Sequence, residues 1–462
     1  MVSHAITSSR HVKNSARLKP FPYLGGGFFV LGLSLSNTEG SVESDNAPTP
    51  WNVAREAKDA TQAKKTPLAS GQVQGAFVGR RGRVFWMALR FGVYTLLTVG
   101  MYRFWMKTRL RRWYWSSVRI GGIPLEYVGD PLEKVLGFLI AVVFLAFYIG
   151  VVNLLLMFAS FSLFQGEYPA YILSFAGVIP FWFYARYRAR RYVLARTRWR
   201  GVRFGLAPGA WGYVGRALAL WIVTILSAGM LWPLKTFWLE KYVTDRTWFG
   251  TVRMEQGGRW TMLFRPFLNV VFPGVGLAGL MIWVGYSERF KGGEMAAGAV
   301  LAVWSLIGLV HYQVQAKRLL ANAKRAANMG LVAEPRTRTV FRIYVVGYGI
   351  AGIVSSVALV PIALAGLIVF EASGGSMGAV QEILAGMPVW AAPVVGGLSY
   401  FAMFLMWSAL RQAFVTMPLW RLYADTLSVI GADAMGQVQQ RPRDEFAEAE
   451  GFAEALDVGA AI

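Results

Sequence analysis

The sequence predicts an all-α, polytopic membrane protein: a helical bundle with about six spanning helices and two re-entrant or interfacial segments. Three observations predict it, namely the composition, a series of apolar segments of membrane length, and the distribution of basic residues. The 462-residue chain is 55% hydrophobic and only 16% charged, with a mean hydropathy of +0.42. Soluble domains carry about 25% charged residues. The composition therefore indicates a membrane protein.

The net charge of +22 is compatible with a nucleic-acid partner or with a membrane surface, and the position of the basic residues decides between the two. Lys and Arg lie beside apolar runs, as they do on the cytoplasmic side of membrane proteins, so we expect no nucleic-acid partner. The chain has no Cys, and of its three His only His311 lies near an apolar segment. Cys-type metal sites and disulfides are excluded. We predict no metal, no cofactor and no enzymatic activity.

The chain begins with a polar stretch, residues 1–75, for which we predict disorder because it lacks sustained periodicity. A dispensable extension or a start codon placed too far upstream is the favoured interpretation, and a signal peptide is the weaker one. Apolar segments then follow, each near the 20 residues that cross about 30 Å of hydrocarbon. There are eight: 84–105, 137–161, 169–185, 215–238, 266–286, 296–312, 343–370 and 389–410.

Basic, aromatic stretches follow several of these segments. The first runs from Trp105 to Tyr127, the second from Arg186 to Phe204 and the third from Leu239 to Met254. Each contains interleaved Arg or Lys and aromatic residues and ends near a glycine. We interpret the chain as copies of one unit made of a membrane segment, a cationic aromatic helix and a glycine turn.

A shift of 129 residues superimposes much of the first three segments on the next three, including Gly100 on Gly229 and Gly121 on Gly250. We predict a tandem duplication followed by a partial third copy. The predicted organisation is a disordered extension, two membrane repeat units, a partial third unit and an acidic tail, at residues 1–75, 76–204, 205–335, 336–440 and 441–462. The tail either folds back on the cationic face or is solvated.

The distribution of Lys and Arg predicts the orientation. If all eight segments cross in simple alternation, the two faces carry 19 and 16 basic residues. If segments 84–105 and 215–238 instead enter and leave on one side, the counts become 33 and 2. Cytoplasmic loops are enriched in Lys and Arg, which favours the second arrangement. An inverted three-plus-three transporter repeat is the competing interpretation.

Several motifs carry a resemblance to a known family. They are Phe77-x-Gly79, Gly100-Met101-Tyr102, Trp105-x-Lys107-x-Arg109, Arg112-Trp113, Gly122, Leu125 to Pro131, and the acidic end from Glu450 to Gly459. Together they resemble the YjgN-like family of bacterial inner-membrane proteins, which has no established function. The chain departs from the family at Ser117-Val118, where Asn-Thr is usual, and Thr197-Arg198 keeps half of that pair. The resemblance implies a bacterial inner membrane and supplies no catalytic residues.

The basic aromatic stretches supply the first candidate site, because guanidinium groups reach phosphates while the rings lie at the headgroup level. An ordinary positive-inside loop with an aromatic belt is the alternative. The candidate residues for binding lipid headgroups or other anions are Arg109, Arg111, Arg112, Arg119, Arg190, Arg191, Arg198, Lys241, Arg246 and Lys317.

Polar residues within apolar segments supply the second candidate site. Arg90, Asn153 and Asn269 are the candidates, because a polar group at membrane depth is commonly functional. Prolines and glycines in the segments are interpreted as packing features rather than as a binding site.

These features predict an inner-membrane protein that transports or handles lipid, with basic cytoplasmic loops and anionic lipids as partners. A non-transporting scaffold or stress-response component is the alternative. A water-accessible cavity lined by Arg90, Asn153 or Asn269 would favour transport, and a dry, glycine-packed bundle would favour the scaffold. Protein partners are not predicted.

Overall fold

Ten short β-strands form a closed antiparallel barrel in the described part of the chain. The computed structural model describes residues 71–147, 150–151, 153–164, 167–287, 292–374, 376, 385–386, 388 and 390–441. All of its elements belong to the unit Ala63–Ile462. The strands are β1 (Gln72–Phe77), β2 (Val118–Ile120), β3 (Ile123–Tyr127), β4 (Thr197–Trp199), β5 (Val202–Leu206), β6 (Thr247–Phe249), β7 (Val252–Gln256), β8 (Lys324–Ala326), β9 (Met329–Ala333) and β10 (Leu427–Ile430).

Four tight hairpins join β2 to β3, β4 to β5, β6 to β7 and β8 to β9. Each turn has two residues, since Ile120 pairs with Ile123 and the other three hairpins close in the same way. The first turn residue is left-handed in every hairpin, with φ of 62° at Gly121, 53° at Arg200, 54° at Gly250 and 51° at Ala327. Positive φ at this place matches the twist of the strands.

The first and last strands in the sequence close the barrel. Strand β1 pairs with β10 in the register Gln72↔Ile430, Val73↔Val429 and Gln74↔Ser428, and β1 also pairs with β2. Strands that neighbour one another in the barrel therefore also follow one another in sequence, apart from this one closing pair. A closed barrel leaves no unpaired edge strand.

Thirteen α-helices lie in the described residues, and all of them are inserted between strands. They are α1 (Arg81–Leu97), α2 (Arg103–Ser117), α3 (Pro131–Phe147), α4 (Asn153–Phe164), α5 (Glu167–Ala195), α6 (Ala210–Leu226), α7 (Trp232–Thr244), α8 (Phe264–Ser287), α9 (Gly292–Asn322), α10 (Thr337–Ser356), α11 (Val360–Ala372), α12 (Ala391–Arg411) and α13 (Met417–Asp425).

The helices form five excursions from the barrel. They are α1–α2, α3–α5, α6–α7, α8–α9 and α10–α13, and each runs from an odd-numbered strand to the next even-numbered strand. Because those two strands are antiparallel neighbours, each excursion leaves and returns at the same end of the barrel. The hairpin turns lie at the opposite end.

The predicted all-α fold with about six spanning helices is wrong. The barrel contradicts the all-α class, and within the described residues four helical segments are long and apolar enough to cross a membrane: Trp260–Tyr286, Gly292–Asn322, Thr337–Ala372 and Pro393–Asp425. The strands are missed because they have only three to six residues, and β2, β3, β4 and β6 lie inside the basic, aromatic stretches. Each strand also has at least one partner strand that is distant in sequence.

The first and fourth apolar segments are each broken into two helices. The chain turns after α1 at Val99 (φ 50°) and Gly100 (φ 88°), and after α6 at Ala228 (φ 48°) and Gly229 (φ 85°). In α1, 17 residues extend about 25 Å, which is less than the hydrocarbon thickness of about 30 Å. Helix α1 then packs against α2, and α6 packs against α7. The predicted duplication stays a prediction.

Two predicted regions lie mainly or wholly outside the described residues. Residues 1–70 of the predicted disordered extension are outside, and β1 begins at Gln72, within the last residues of that extension. The acidic stretch of the tail, from Asp444 to Asp457, is also outside.

Candidate functional site

A cavity of about 340 Å³ occupies the inside of the barrel. Alternate residues of a strand face the interior, and cross-strand partners share a face. The wall is therefore built from residues such as Ile120 and Trp199, whereas Arg119 and Arg198 lie on the outer face. The large side chains of the wall are Trp115, Trp199, Phe204, Phe249, Met329 and Trp420. We call this space the barrel cavity.

The polar groups of the cavity wall are nearly all engaged within the protein. The indole N–H of Trp115 donates to Thr197 Oγ1 at 3.1 Å, and that hydroxyl donates to the Val193 carbonyl at 2.8 Å. Lys324 Nζ lies 2.6 Å from Glu240 Oε1. Trp199 differs, because its side chain is 5% exposed and its indole nitrogen has no acceptor among the described residues.

The two ends of the barrel are covered differently. At the hairpin end, a 3-10 helix at Ala432–Gln437 places Met435 against Trp199 and Phe249. The following residues cross the hairpins, where the Gln439 carbonyl accepts from the Thr251 amide at 3.0 Å. At the other end the wall is completed by helix residues, including Trp115, Val193 and Trp420. At that end the cavity is therefore bounded by side chains of α2, α5 and α13.

Five basic residues at equivalent places tie the returning helices to the barrel. Each lies six residues before an even-numbered strand; we call Arg112, Arg191, Lys241, Arg318 and Arg421 the clamp residues. Four donate to a carbonyl at or just beyond the end of an odd-numbered strand. The acceptors are Gly129 (2.8 Å), Leu206 (3.0 Å), Gln256 (2.9 Å) and Gly79 (2.9 Å). Arg318 instead pairs with Glu334 at 3.7 Å.

Side-chain acceptors near the same strand ends complement the clamp residues. Asp245, Asn322 and Asp425, each two residues before an even-numbered strand, accept from the last amide of β7, β9 and β1 at 2.8, 2.7 and 2.8 Å. A charged donor or acceptor strengthens such bonds. These side chains therefore fix each returning helix to the odd-numbered strand that comes next around the barrel.

The predicted headgroup-binding residues divide between the interior and the surface. Arg111, Arg119 and Arg191 are buried, with exposures of 2%, 8% and 7%. Arg111 donates to the Tyr127 hydroxyl at 3.3 Å and lies over the rings of Tyr127 and Trp115. Their burial removes these three cations from the open surface of the protein.

The other predicted cations contact aromatic rings or acids. Arg109 is exposed and donates to the Tyr102 hydroxyl at 2.8 Å, and Arg246 lies 3.8 Å from the centroid of the Tyr242 ring. Lys317 lies 5.3 Å from the centroid of Tyr423. Arg190 pairs with Glu240, and Arg198 faces Glu126 across the β3–β4 pair. Binding of headgroups by these residues stays a prediction.

Glu240 is the acidic centre of a small ion network. Arg190 Nη1 lies 3.3 Å and Lys324 Nζ 2.6 Å from its carboxylate oxygens. Burial alone would raise the pKa of Glu240, but the two cations outweigh it and hold that pKa well below its usual range. The network joins α5, α7 and β8.

The three predicted intramembrane polar residues are not brought together in a described site. Arg90 and Asn269 are exposed on α1 and α8, and Asn153 is the first residue of α4. The Asn269 backbone lies close to Gly308, where an added Cβ would be 2.1 Å from the Asn269 carbonyl oxygen. Helices α8 and α9 therefore cross with their backbones in near contact.

Sequence reasoning missed a set of exposed arginines where excursions begin. Arg81 and Arg83 lie in the first turn of α1, Arg265 in that of α8, and Arg338 and Arg342 in the first two turns of α10. We call these five residues the collar. The first turns of α1, α8 and α10, all within the described residues, contain no acidic residue. Basic residues immediately before an apolar run were the available signal.

These observations define a class: a membrane protein of apolar helices built around a closed antiparallel barrel. The chain belongs to a family described as bacterial proteins of unknown function, DUF898, which matches residues 72–455. This is the YjgN-like family, so the resemblance carried by the motifs is confirmed. No curated protein and no solved structure matches the chain.

Proposed function

We propose that this protein handles anionic lipid at the cytoplasmic surface of the bacterial inner membrane. In this proposal the helical excursions anchor the barrel, the collar binds headgroup phosphates, and the barrel lies in the aqueous phase against the membrane. The collar is the single observation that carries the proposal.

The placement of the collar argues for an anionic ligand. A helix N-terminus carries a partial positive charge, so cations there are unfavourable unless an anion is bound nearby. Arg81 and Arg338 are exposed in first turns that contain no acid, and Arg265 is exposed at the start of α8, which continues from the 3-10 helix Trp260–Leu263. They also lie where the chain passes from the barrel to apolar helices, which is the expected level of headgroups. Each basic residue there contributes about 1 kcal/mol toward an acidic membrane surface.

The topology supports placing all collar residues on one side of the membrane. Every excursion leaves and returns at the same barrel end, so α1, α8 and α10 all begin there. The cytoplasmic side is proposed because Lys and Arg concentrate on that side of membrane proteins. Transport is not the favoured version, since Arg90 and Asn269 do not line a common described cavity.

The test compares lipid binding by two charge-matched variants. Purified protein in a nonionic detergent is titrated with phosphatidylglycerol and phosphatidylcholine of identical acyl chains, and bound lipid is counted by native mass spectrometry. We expect a phosphatidylglycerol preference that falls about ten-fold or more in Arg265→Gln/Arg338→Gln, from about 1 kcal/mol per cation. The control variant Arg253→Gln/Arg325→Gln, with both substitutions on the outer faces of β7 and β8, should keep the phosphatidylglycerol preference. Equal losses in both variants would refute the proposal.

A membrane scaffold is the second candidate, and the crossing of α8 and α9 at Gly308 favours it. Small residues that allow close backbone approach are typical of dry helix interfaces. A scaffold of this kind requires no headgroup selectivity. The same titration therefore distinguishes the two functions, since a scaffold predicts equal binding of both lipids to the unsubstituted protein.

A further inference from the structure

The hairpin formed by α6 and α7 ends in an apolar tip. Residues 217–234, which make up the end of α6, the turn and the start of α7, contain no ionisable side chain. Ile222, Ile225 and Leu226 of this stretch are exposed, and the exposed fraction of Leu226 is 82%. Ala228 and Met230 in the turn are exposed as well. The tip therefore presents apolar side chains to its surroundings.

The amides of the turn have acceptors within the hairpin. Each amide from Ser227 to Trp232 donates to a backbone carbonyl of the hairpin, except that of Leu231. The Leu231 amide donates to the Ser227 hydroxyl at 3.1 Å, and this hydroxyl donates in turn to the Thr224 carbonyl at 3.0 Å. Irregular backbone is tolerated at membrane depth only when its polar groups are satisfied without water. The amides of this turn meet that condition.

The first ionisable residue after the turn is withdrawn from the hairpin surface. Lys235 is 6% exposed, and its ammonium lies 3.5 Å from the ring centroid of Trp221 and 3.2 Å from that of Trp232. The two rings shield the charge through cation–π contacts. A charge exposed to hydrocarbon is costly, so this shielding is what a cation near a membrane-inserted tip requires.

Contacts with two candidate spanning helices place the hairpin beside them. Helices α8 and α9 both belong to the segments long and apolar enough to cross a membrane. The Tyr312 hydroxyl of α9 donates to Thr236 Oγ1 of α7 at 3.1 Å. The next residue, Phe237, shares a buried cluster with Phe267 of α8 and with Tyr312. The start of α7 therefore lies against the membrane helices.

The same contacts give the depth of the turn. Tyr312 lies ten residues before the end of α9 at Asn322, which is about 15 Å along the helix from the barrel. Leu231 lies five residues before Thr236, so the turn is about 7 Å further away from the barrel. Helix α9 has 31 residues, and its middle is about 23 Å from its barrel end. The turn is therefore level with the middle of α9.

We infer that the α6–α7 hairpin inserts into the acyl layer of the leaflet nearest the barrel and ends near the middle of the bilayer. Ile225, Leu226 and Met230 then contact lipid acyl chains. The packing against α8 and α9 commits the tip to this partner, because hydrocarbon surrounds those helices at the level of the turn. The inference deepens the proposed function, on which it rests for the position of the barrel against the membrane. It does not depend on headgroup preference.

A single thiol at the tip measures its depth, because the chain has no cysteine of its own. The Leu226→Cys protein is labelled with a bimane fluorophore and reconstituted into phosphatidylcholine vesicles that carry a nitroxide either at the headgroup or near the end of an acyl chain. We expect the acyl-chain nitroxide to quench at least about two-fold more strongly, because the headgroup lies about 15 Å away, half the hydrocarbon thickness. Stronger quenching by the headgroup nitroxide would overturn the inference.

Two control positions calibrate the quenching. Val303→Cys, exposed near the middle of α9, should show the same preference for the acyl-chain nitroxide as Leu226→Cys. Ala327→Cys, in an exposed hairpin turn of the barrel, should be quenched little by either nitroxide. A tip that follows Ala327→Cys rather than Val303→Cys would contradict insertion.

Reactivity of the unlabelled thiol distinguishes the other possible surroundings of the tip. In vesicles opened by freezing and thawing, a membrane-impermeant maleimide reaches both surfaces. It should label Ala327→Cys and leave Leu226→Cys unlabelled until the protein is denatured. Labelling of Leu226→Cys in the vesicles would place the tip in water and overturn the inference. A thiol that is unlabelled and whose bimane is quenched by neither nitroxide would show that protein covers the tip, which also overturns it.

The outcomes separate this inference from the proposed function. If the acyl-chain nitroxide quenches Leu226→Cys but phosphatidylglycerol is not preferred, the proposed function fails and the insertion of the hairpin stands. If phosphatidylglycerol is preferred but the quenching is absent, the insertion is refuted and the role of the collar stands. Arg265→Gln/Arg338→Gln should leave the quenching of Leu226→Cys unchanged, because both arginines lie outside the hairpin.

Discussion

The clamp residues show how basic side chains stabilise the contacts between the helices and the barrel. Four of them donate to backbone carbonyls where odd-numbered strands end. Two of the accepting carbonyls, those of Gly79 and Gly129, lie just beyond the ends of β1 and β3 and need a donor from outside the ladder. A charged donor satisfies them and ties the returning helix to the strand. Arg112, Arg191 and Lys241 were predicted from the sequence as headgroup-binding residues, and they also have this structural contact.

Arg421 is the clamp residue at the closing strand, since it donates to Gly79 just after β1. Arg421→Gln removes the charged donor and leaves the carbonyl without it. We expect the free energy of unfolding to fall by about 1.5–3 kcal/mol, the value of a charged hydrogen bond. Equilibrium denaturation in detergent measures it. Arg342→Gln, an exposed collar substitution, is the control and should change it by less than about 0.5 kcal/mol.

Glu240 gives a residue-scale prediction about pH. Because Arg190 and Lys324 lower its pKa in the folded protein, its stabilising contribution is complete above the unfolded-state pKa of about 4.3. The contribution is lost as pH falls below that value toward the folded-state pKa. We expect Glu240→Gln to lower Tm at pH 7, with the difference from the unsubstituted protein narrowing between about pH 4.5 and pH 3. Thermal unfolding measures this difference in Tm, and a difference that stays constant across this pH range would contradict the prediction.

At the scale of elements, the sequence contains clear signals for the helices and weak signals for the strands. The cationic aromatic helix and the following glycine turn were predicted at Trp105–Tyr127, and α2 and the Gly121 turn lie there. The strands on either side of the turn were missed. Three residues such as Val118–Ile120 are too few to show alternation, and arginine on their outer face resembles a basic loop.

The cavity could not be predicted for a related reason. Its wall collects residues as distant as Trp115 and Trp420, which only the closed strand order brings together. In the sequence these rings belong to an aromatic pattern that membrane interfaces also produce. The unsatisfied Trp199 donor is visible only after the strands are placed.

Pairing of β1 with β10 is the element-scale feature with the largest sequence separation. Gln74 and Ser428 lie directly opposite one another on the outer face of this pair. We expect the Gln74→Cys/Ser428→Cys protein to form an intramolecular disulfide under mild oxidation, because directly paired strand residues have a compatible separation. Gel mobility with and without reductant measures it.

The control pair is shifted by one residue. Gln74→Cys/Leu427→Cys places the two thiols on opposite faces of the pair, since successive strand residues alternate. This protein should remain reduced. Equal disulfide formation in both pairs would show that the β1–β10 register is incorrect.

At the scale of the whole molecule, the barrel explains why basic stretches distant in sequence share one location. The hairpins at Arg200, Thr251 and Asn328 are part of one barrel, and every helical excursion returns to it. The sequence-based count of basic residues favoured a shared face. That count gave no physical reason why the basic stretches share a face. It also led to about six predicted spanning helices, whereas the described residues contain four candidates.

In the proposed orientation the barrel, and with it all its hairpins, lies on the cytoplasmic side of the membrane. Arg200→Cys, Thr251→Cys and Asn328→Cys place single thiols in three exposed turns, and Glu371→Cys places one at the end of α11. Labelling of intact spheroplasts with a membrane-impermeant maleimide is the most direct test. We expect Glu371→Cys to react in intact spheroplasts and the three turn variants to react only after lysis. Reaction of any turn variant before lysis would contradict it.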